Sequence, residues 1–414
     1  MMHDQAQEHI GQRVRVARIA AGLTQPELAG LVSRSQSWIE DLEAGRLGLD
    51  RYSVISAIAD VCEVDVVWLL GQPYRLRGED GAAAHSYIRP LRTVLRRAGL
   101  ILSGHPGLVP SVVSTEFDRM QSQAMAANRA RQGASLPSAA AVLPGLLEDL
   151  SATILLHDRG PQRELALRLL VDAARNARQT LNQLGYPDLA WVAAEVAAGA
   201  ATQLGDPIAK AAVAWDRCGA MLHQGDTRET EAIAKAALDD LDPLAEAGGQ
   251  GALALQGALV LRTAVACARS GRVDDAWAHG KRALEIAGRL PENFADLEFQ
   301  TVFGRANVQV HAAEVGVEVD EPAKGLAFVK DANVSGVPSR ERITHFRIDE
   351  ARALHQMGRT PAAVATLRQA ATRAPHYVYA HPMARALVHE MVRKGVPTQA
   401  AALSGLVRNM TLAF

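Results

Sequence analysis

The sequence predicts an all-α protein: five short helices at the N-terminus, then a long α-solenoid. Three observations carry that reading. Residues 23–46 hold capping signals and apolar positions at helical spacing, arranged as two short helices around a tight turn. From Tyr87 to Phe414 the chain is almost entirely Ala-, Leu-, Val- and Arg-rich, punctuated by Gly-x or Gly-x-x turns. Between these regions, residues 73–86 lose all periodicity and read as a linker. The expected division is therefore 1–72, 73–86 and 87–414.

Taken in order, helix 1 covers about 8–20, with Val14 and Ala17 facing inward, and ends at Gly22. Thr24-x-x-Glu27 is a capping box: Thr24 caps the next helix and Glu27 reaches back to the cap. Pro26 falls in the first turn, where its missing N–H costs nothing. Leu28, Leu31 and Val32 recur at helical spacing. Ser33-Arg34-Ser35 breaks the pattern, and Ser35 is a natural cap for a helix from Gln36. There Ile39 and Leu42 face inward, Gln36, Ser37, Glu40 and Asp41 face outward, and Gly45 stops the helix. Helix 4 is placed at 51–62 behind Asp50 and helix 5 at 66–70 behind Asp65, closing at Gly71. This is the helix-turn-helix arrangement, whose second helix enters the DNA major groove.

Residues 8–71 resemble the phage-repressor (XRE-type) helix-turn-helix family. Leu23-Thr24-Gln25, Glu27-Leu28-Ala29, Ser35, Ile39, Glu43 and Gly45 stand at the family's spacing without gaps. Ser33 departs from the pattern, occupying the turn position where the family usually has Gly. The resemblance implies double-stranded DNA as partner, with Gln25 on a phosphate and Gln36 and Ser37 nearest the base edges. It also implies an ion pair of Arg18 with Glu43. Gln suits adenine, Ser donates or accepts, and Arg34 and Arg46 are placed to reach the backbone. Each of these is also what a solvated surface residue looks like. Glu40 and Asp41 fit poorly: near phosphates they repel, and only a cytosine amine welcomes a carboxylate. Trp38 either wedges against the DNA backbone or packs under helix 4.

Three passages of the body, around Gly225, Gly271 and Gly358, share one form: a helix end closed by Gly, a short turn, and a second helix. Gly225 and Gly271 are 46 residues apart, which suggests a repeat of about 34 residues with an insertion. The expected helix pairs are 187–204 with 207–223, 251–270 with 273–288, 297–315 with 322–331, 342–357 with 360–373, and 377–394 with 397–411. No such pair buries its apolar face alone, so stacking follows. The series resembles tetratricopeptide repeats, and its union with an XRE-type head resembles a large group of actinobacterial regulators. Gln300, Phe303, Asn307, His311 and Glu314 form one polar stripe, with Gly304 allowing close approach. Arg342, His345, Asp349, Arg352 and Gln356 form another. These stripes are candidates for binding a small molecule or peptide; the alternative is two solvated faces with one buried His.

Net charge is −1, so no global basic surface attracts nucleic acid or membrane. Residues 1–75 hold seven Arg, no Lys and ten acidic residues, a balance of −3. That is unusual for a DNA reader, since phosphate neutralisation supplies much of the affinity. Arg89, Arg92, Arg96 and Arg97 offer compensation, or a solvated face. Cys62, Cys218 and Cys267 lie far apart inside apolar helical patterns and are expected as buried thiols. No apolar run of membrane-spanning length and no apolar signal core was read, which suggests a cytoplasmic protein. GxxxxGK[ST], HExxH and GxSxG are absent, so no enzyme, cofactor or metal is expected. The function expected is a homodimeric, sequence-specific transcriptional regulator with an effector-sensing body. The rival is an interaction adaptor whose head no longer binds DNA.

Overall fold

The computed structural model describes residues 9–74, 79–105, 116–395 and 400–412. The head holds α1 (Ile10–Ala20), α2 (Gln25–Leu31), α3 (Gln36–Glu43), α4 (Tyr52–Val61) and α5 (Val66–Leu70). Val14, Leu28, Ile39, Leu42, Ile55, Ile58 and Leu69 are its fully buried centre. The body follows as α6 (Glu79–Ser86), α7 (Ile88–Leu102), α8 (Phe117–Gln132), α9 (Leu136–Leu156), α10 (Pro161–Gln183) and α11 (Pro187–Leu204). Next come α12 (Pro207–Gln224), α13 (Thr227–Glu246), α14 (Gln250–Arg269), α15 (Val273–Ala287), α16 (Arg305–Glu318) and α17 (Pro322–Val329). The last are α18 (Arg340–Gln356), α19 (Thr360–Arg373), α20 (Pro375–Ala380), α21 (Pro382–Arg393) and α22 (Ala400–Met410). The architecture is all-α, a helical head on a solenoid-like helical body.

The even-numbered helices α10 to α18 line up as an inner layer, and α11 to α19 form the outer one. This corrects one expected pairing. Helices 187–204 and 207–223 belong to successive units, because Gly225 closes α12 onto α13 as Gly271 closes α14 onto α15. Gly225 has φ 94°, a left-handed turn that a side chain resists. The 46-residue spacing also needs no insertion, since α13 and α14 are 20 residues each. The unit is simply longer than an ordinary tetratricopeptide repeat.

Four further expectations shift. Part of the linker, Glu79–Ser86, is helical, and Ala84 joins the buried core beside Ile88. The helix placed at 297–315 begins only at Arg305. The preceding segment is a loop tied by Asp296, which accepts from the Phe299 and Thr301 amides at 3.0 Å each. Gly304 sits where a Cβ would lie 2.0 Å from the Phe294 carbonyl oxygen, so neighbouring backbone makes the close approach there. The helix placed at 377–394 is broken at His381–Pro382, where the proline removes a donor and restricts the residue before it. Finally, α9 and α14 are long and apolar enough to cross a membrane. Their one or two charges hid that in the sequence, and α14 is 83% buried in the body's own core.

Candidate nucleic-acid interface and buried polar cavity

Local chemistry fixes the recognition helix. The Thr24 amide donates to Glu27 Oε2 at 2.7 Å, and Thr24 Oγ1 accepts from the Glu27 amide at 3.4 Å. The Thr24 hydroxyl, which also donates to Glu27 Oε2 at 2.7 Å, and then the Thr24 amide hold the exposed Glu27 carboxyl below its ordinary pKa. Ser33 takes the turn at φ 52°, the conformation for which the family's Gly is suited. Ser35 then caps α3 through the Trp38 amide at 3.2 Å. At the far end Arg18 grips Glu43 through two bonds of 2.6 and 3.0 Å, with both side chains buried. This pairing raises the Arg18 pKa.

Gln36 and Ser37 lie exposed in the first turn of α3, as a groove-entering helix requires. Gln36 Nε2 donates to Glu40 Oε1 at 2.8 Å, and Arg46 meets Asp41 at 2.7 Å. The two acidic residues of this face are thus covered from within the head. Gln25 is turned inward and donates to Glu43 Oε2 at 2.9 Å, so it braces the ion pair. Arg34 lies over the half-buried Trp38 ring at 5.5 Å, and Trp38 packs against the head's core. Arg92 and Arg96 border a depression with Val67, Gln72 and Pro73, at the end of α5.

The body holds the head from the opposite side. Helix 4 was placed at 51–62 behind Asp50; it starts at Tyr52, and Arg51 holds the N-cap position without a side-chain bond. Instead Glu318 of α16 accepts from the Tyr52 and Ser53 amides at 3.4 Å each, a carboxylate at a helix N-terminus supplied by another domain. Arg352 pairs with Glu318 at 2.9 Å and donates to the Asp50 backbone carbonyl. Gln356 reaches the Asp50 carboxyl at 3.2 Å, and burial pushes that carboxyl's pKa up. Arg269 covers Tyr52 at 4.1 Å, Arg385 covers Tyr74 at 4.0 Å, and Met383 completes the head's core. None of these contacts touches Gln36, Ser37, Glu40 or Asp41.

The inner layer encloses a cavity of about 90 Å³. Of the expected ligand residues, Gln300, Asn307, His311, Arg342 and His345 line it. Phe303 does not: it is fully buried in the hydrophobic core. Asp349 and Arg352 do not line it either; they pair at 2.9 Å in the buried cluster that grips the head. Sequence reasoning missed Arg131, Arg178, Arg262 and Tyr377, which the curvature of the solenoid brings in from α8, α10, α14 and α20. Only their odd position on apolar helix faces marked them.

Burial keeps the cavity's histidines neutral. His311 is pushed down to about 3, by desolvation first and then by Arg342. His345 lies well below its ordinary value for the same reasons, and His223 does so through desolvation and then Arg269. Burial also lowers Arg131 and Arg262 to about 10. Glu314, His345 and Asp349 bring ligand atoms within 4.8 Å of one another, a spacing that could suit a metal. Arg269 on Glu314 and Arg352 on Asp349 already supply the positive charge, so we read an ion-pair network there. Burial, then Glu314, raises the Asp349 pKa, whereas Arg269 holds Glu314 down against its own burial. Cys62, Cys218 and Cys267 are buried free thiols.

Residues 9–67 match the family model described as a helix-turn-helix domain. The head is a helix-turn-helix domain. No curated protein matches the chain. Among solved structures, Bacillus thuringiensis PlcR in complex with the peptide PapR7 and DNA is similar at 10% identity and a TM-score of 0.35. That alignment covers 91% of this chain and 99% of PlcR. A likeness that distant carries no argument about this chain.

Proposed function

We propose that this protein is a sequence-specific DNA-binding transcriptional regulator of the XRE type, built like the actinobacterial regulators with tetratricopeptide-like bodies, and not an enzyme. The supporting observation is the free outer face of α3. Gln36 and Ser37 stand exposed in its first turn, while the body grips the head through α4, α5 and the 45–53 segment. One such helix reads few bases, so the working form is a homodimer on paired half-sites in the cytoplasm. The body senses a small molecule or peptide and shifts the heads through its differential affinity for two states.

The head's acidic balance supports a second reading, a protein-interaction adaptor that has lost DNA binding. Genome-wide footprinting of the tagged protein separates the two. Discrete inverted-repeat sites are expected for the regulator. An absence of any protected site at low salt moves the reading to the adaptor.

A further inference from the structure

The cavity's charge does not balance. Its lining holds four arginines, Arg131, Arg178, Arg262 and Arg342, against one carboxylate, Glu341. Arg178 is committed to Asp216, which also takes Arg175. Arg131 donates to Asn176 at 2.8 Å and lies 3.9 Å from Glu341. Arg262 and Arg342 have no such partner: neither forms an ion pair with a carboxylate among the described residues. Arg262 stacks over Trp215 at 4.4 Å, and Arg342 faces the neutral His311 at 3.3 Å.

Several donors around the cavity are shielded and unmade. Arg262 Nε, Arg342 Nε and Nη2, and Gln179 Nε2 are all shielded from solvent without a hydrogen-bond partner. With Asn182 Nδ2, five stranded donors ring one hollow, three of them on cations, against the acceptors Asn182 Oδ1 and Asn307 Oδ1 and a Thr180 hydroxyl that can do either, a costly arrangement for a finished core. A metal ion would add to the excess charge. A neutral apolar molecule would leave every donor stranded. An anion answers both deficits, since guanidinium forks match carboxylate and phosphate oxygens.

We propose that this cavity binds a small molecule through a carboxylate or phosphate group, held between Arg262 and Arg342 with Gln179 as a further donor. The proposal deepens the sensing reading and rests on it for its output alone. A chain of contacts leads from the cavity to the head. His345 on the wall lies 3.6 Å from Asp349, which pairs with Arg352, which holds the Asp50 carbonyl and Glu318. Charge arriving at His345 therefore acts two contacts away from the clamp on α4, through Asp349 and Arg352.

The test titrates the full-length protein calorimetrically with inorganic phosphate and, separately, with succinate, against chloride at matched ionic strength. Saturable binding of at least one probe is expected, and the better probe tells a phosphate site from a carboxylate site. Arg262→Met and Arg342→Met are each expected to weaken that binding at least about tenfold. Because each removes a half-buried cation without a carboxylate partner, each should also raise Tm in anion-free buffer and abolish the Tm rise that the probe gives the parent protein. Arginines serving only to hold the fold would lower Tm instead, and that result overturns the proposal. So does a failure of both probes to bind at 10 mM (about the weakest useful affinity), or binding that both variants keep. Operator binding is measured in parallel. Anion binding without any DNA binding keeps the site and defeats the regulator reading; DNA binding without anion binding does the reverse.

Discussion

The centre of the head and the hollow of the body are both built around buried arginine, yet they are finished differently. In the head, one carboxylate closes the account: Glu43 accepts from Arg18 through both oxygens and from Gln25. In the body, Asp216 serves Arg175 and Arg178 together, while Arg262 and Arg342 of the same cavity lining have no carboxylate partner among the described residues. A recognition helix must hold a fixed shape against DNA, and a complete ion pair at its end gives that. A sensor must gain something when its ligand arrives, and incomplete pairing leaves room for the gain.

The sharpest way to break this comparison is Asp216→Ala. Its side chain is fully buried, and its loss strands two cations at once. Removing one partner of a buried pair costs about 3–5 kcal/mol, so this change should exceed that range or prevent folding. Urea denaturation of the variant checks it. A cost of about 1 kcal/mol or less, what a solvent-exposed pair is worth, would show that water reaches this interior.

In the head, Arg18→Ala should cost about 3–5 kcal/mol by leaving Glu43 buried and alone. Arg18→Met with Glu43→Leu should cost less than Arg18→Ala, because no charge is stranded. Chemical denaturation followed at the Trp38 and Trp68 fluorescence reads both. A double variant as unstable as the single one would mean that Gln25 and packing, not charge, hold the end of α3.

The body should also be the acid-sensitive partner. His311 and His381 are held down to about 3, against an ordinary value near 6.5. A lowered histidine leaves the folded state unprotonated while the unfolded chain takes up protons, so stability is lost as pH falls below about 6.5. By pH 5 each costs about 2 kcal/mol. Asp349 and Asp172, raised by burial to about 7 and about 6, act in the other direction, since the folded state binds their protons more tightly. Asp50 and Asp226 are raised as well, but the lowered histidines, which also include His223, His279, His345 and His389, outnumber the four raised carboxyls, so a net loss of a few kcal/mol between pH 7 and 5 is expected. Tm measured across that range checks it. A flat or rising profile would mean the carboxyls dominate.

What was legible in the sequence follows the same division. The head's caps and inward positions are local features: Thr24, Glu27, Ser35, Ile39 and Leu42 act within a few residues of themselves, and all lie where the spacing put them. In the body, helix ends at Gly225, Gly271 and Gly358 could be read for the same reason. The cavity could not. It is made by curvature that brings α8 and α20 to the same hollow, and no periodicity within one helix reports that. Phe303 and Asn307 share a stripe in the sequence, but the late start of α16 sends the first into the core and leaves the second on the wall. The acceptor at the start of α4 could not be read either, because Glu318 lies in another domain.

The smallest expected effect tests the head's exposed face. Gln36 bonds Glu40 in the free protein, a surface contact that DNA must displace before the amide can meet an adenine edge. Gln36→Ala should therefore leave folding stability within about 0.5 kcal/mol, as surface changes do. It should weaken operator binding by roughly 1–3 kcal/mol, at the bases it reads. Binding to random DNA should barely change, because phosphate contacts carry that affinity. Glu40→Gln sharpens the result: it frees Gln36 from a charged partner and removes a repulsive carboxylate, so affinity should rise on both DNAs and its salt dependence should alter little. Gel-shift titrations of operator and random duplexes with the two variants decide it. Equal loss on both duplexes for Gln36→Ala would assign Gln36 to the backbone, and base reading would pass to Ser37 on the same turn.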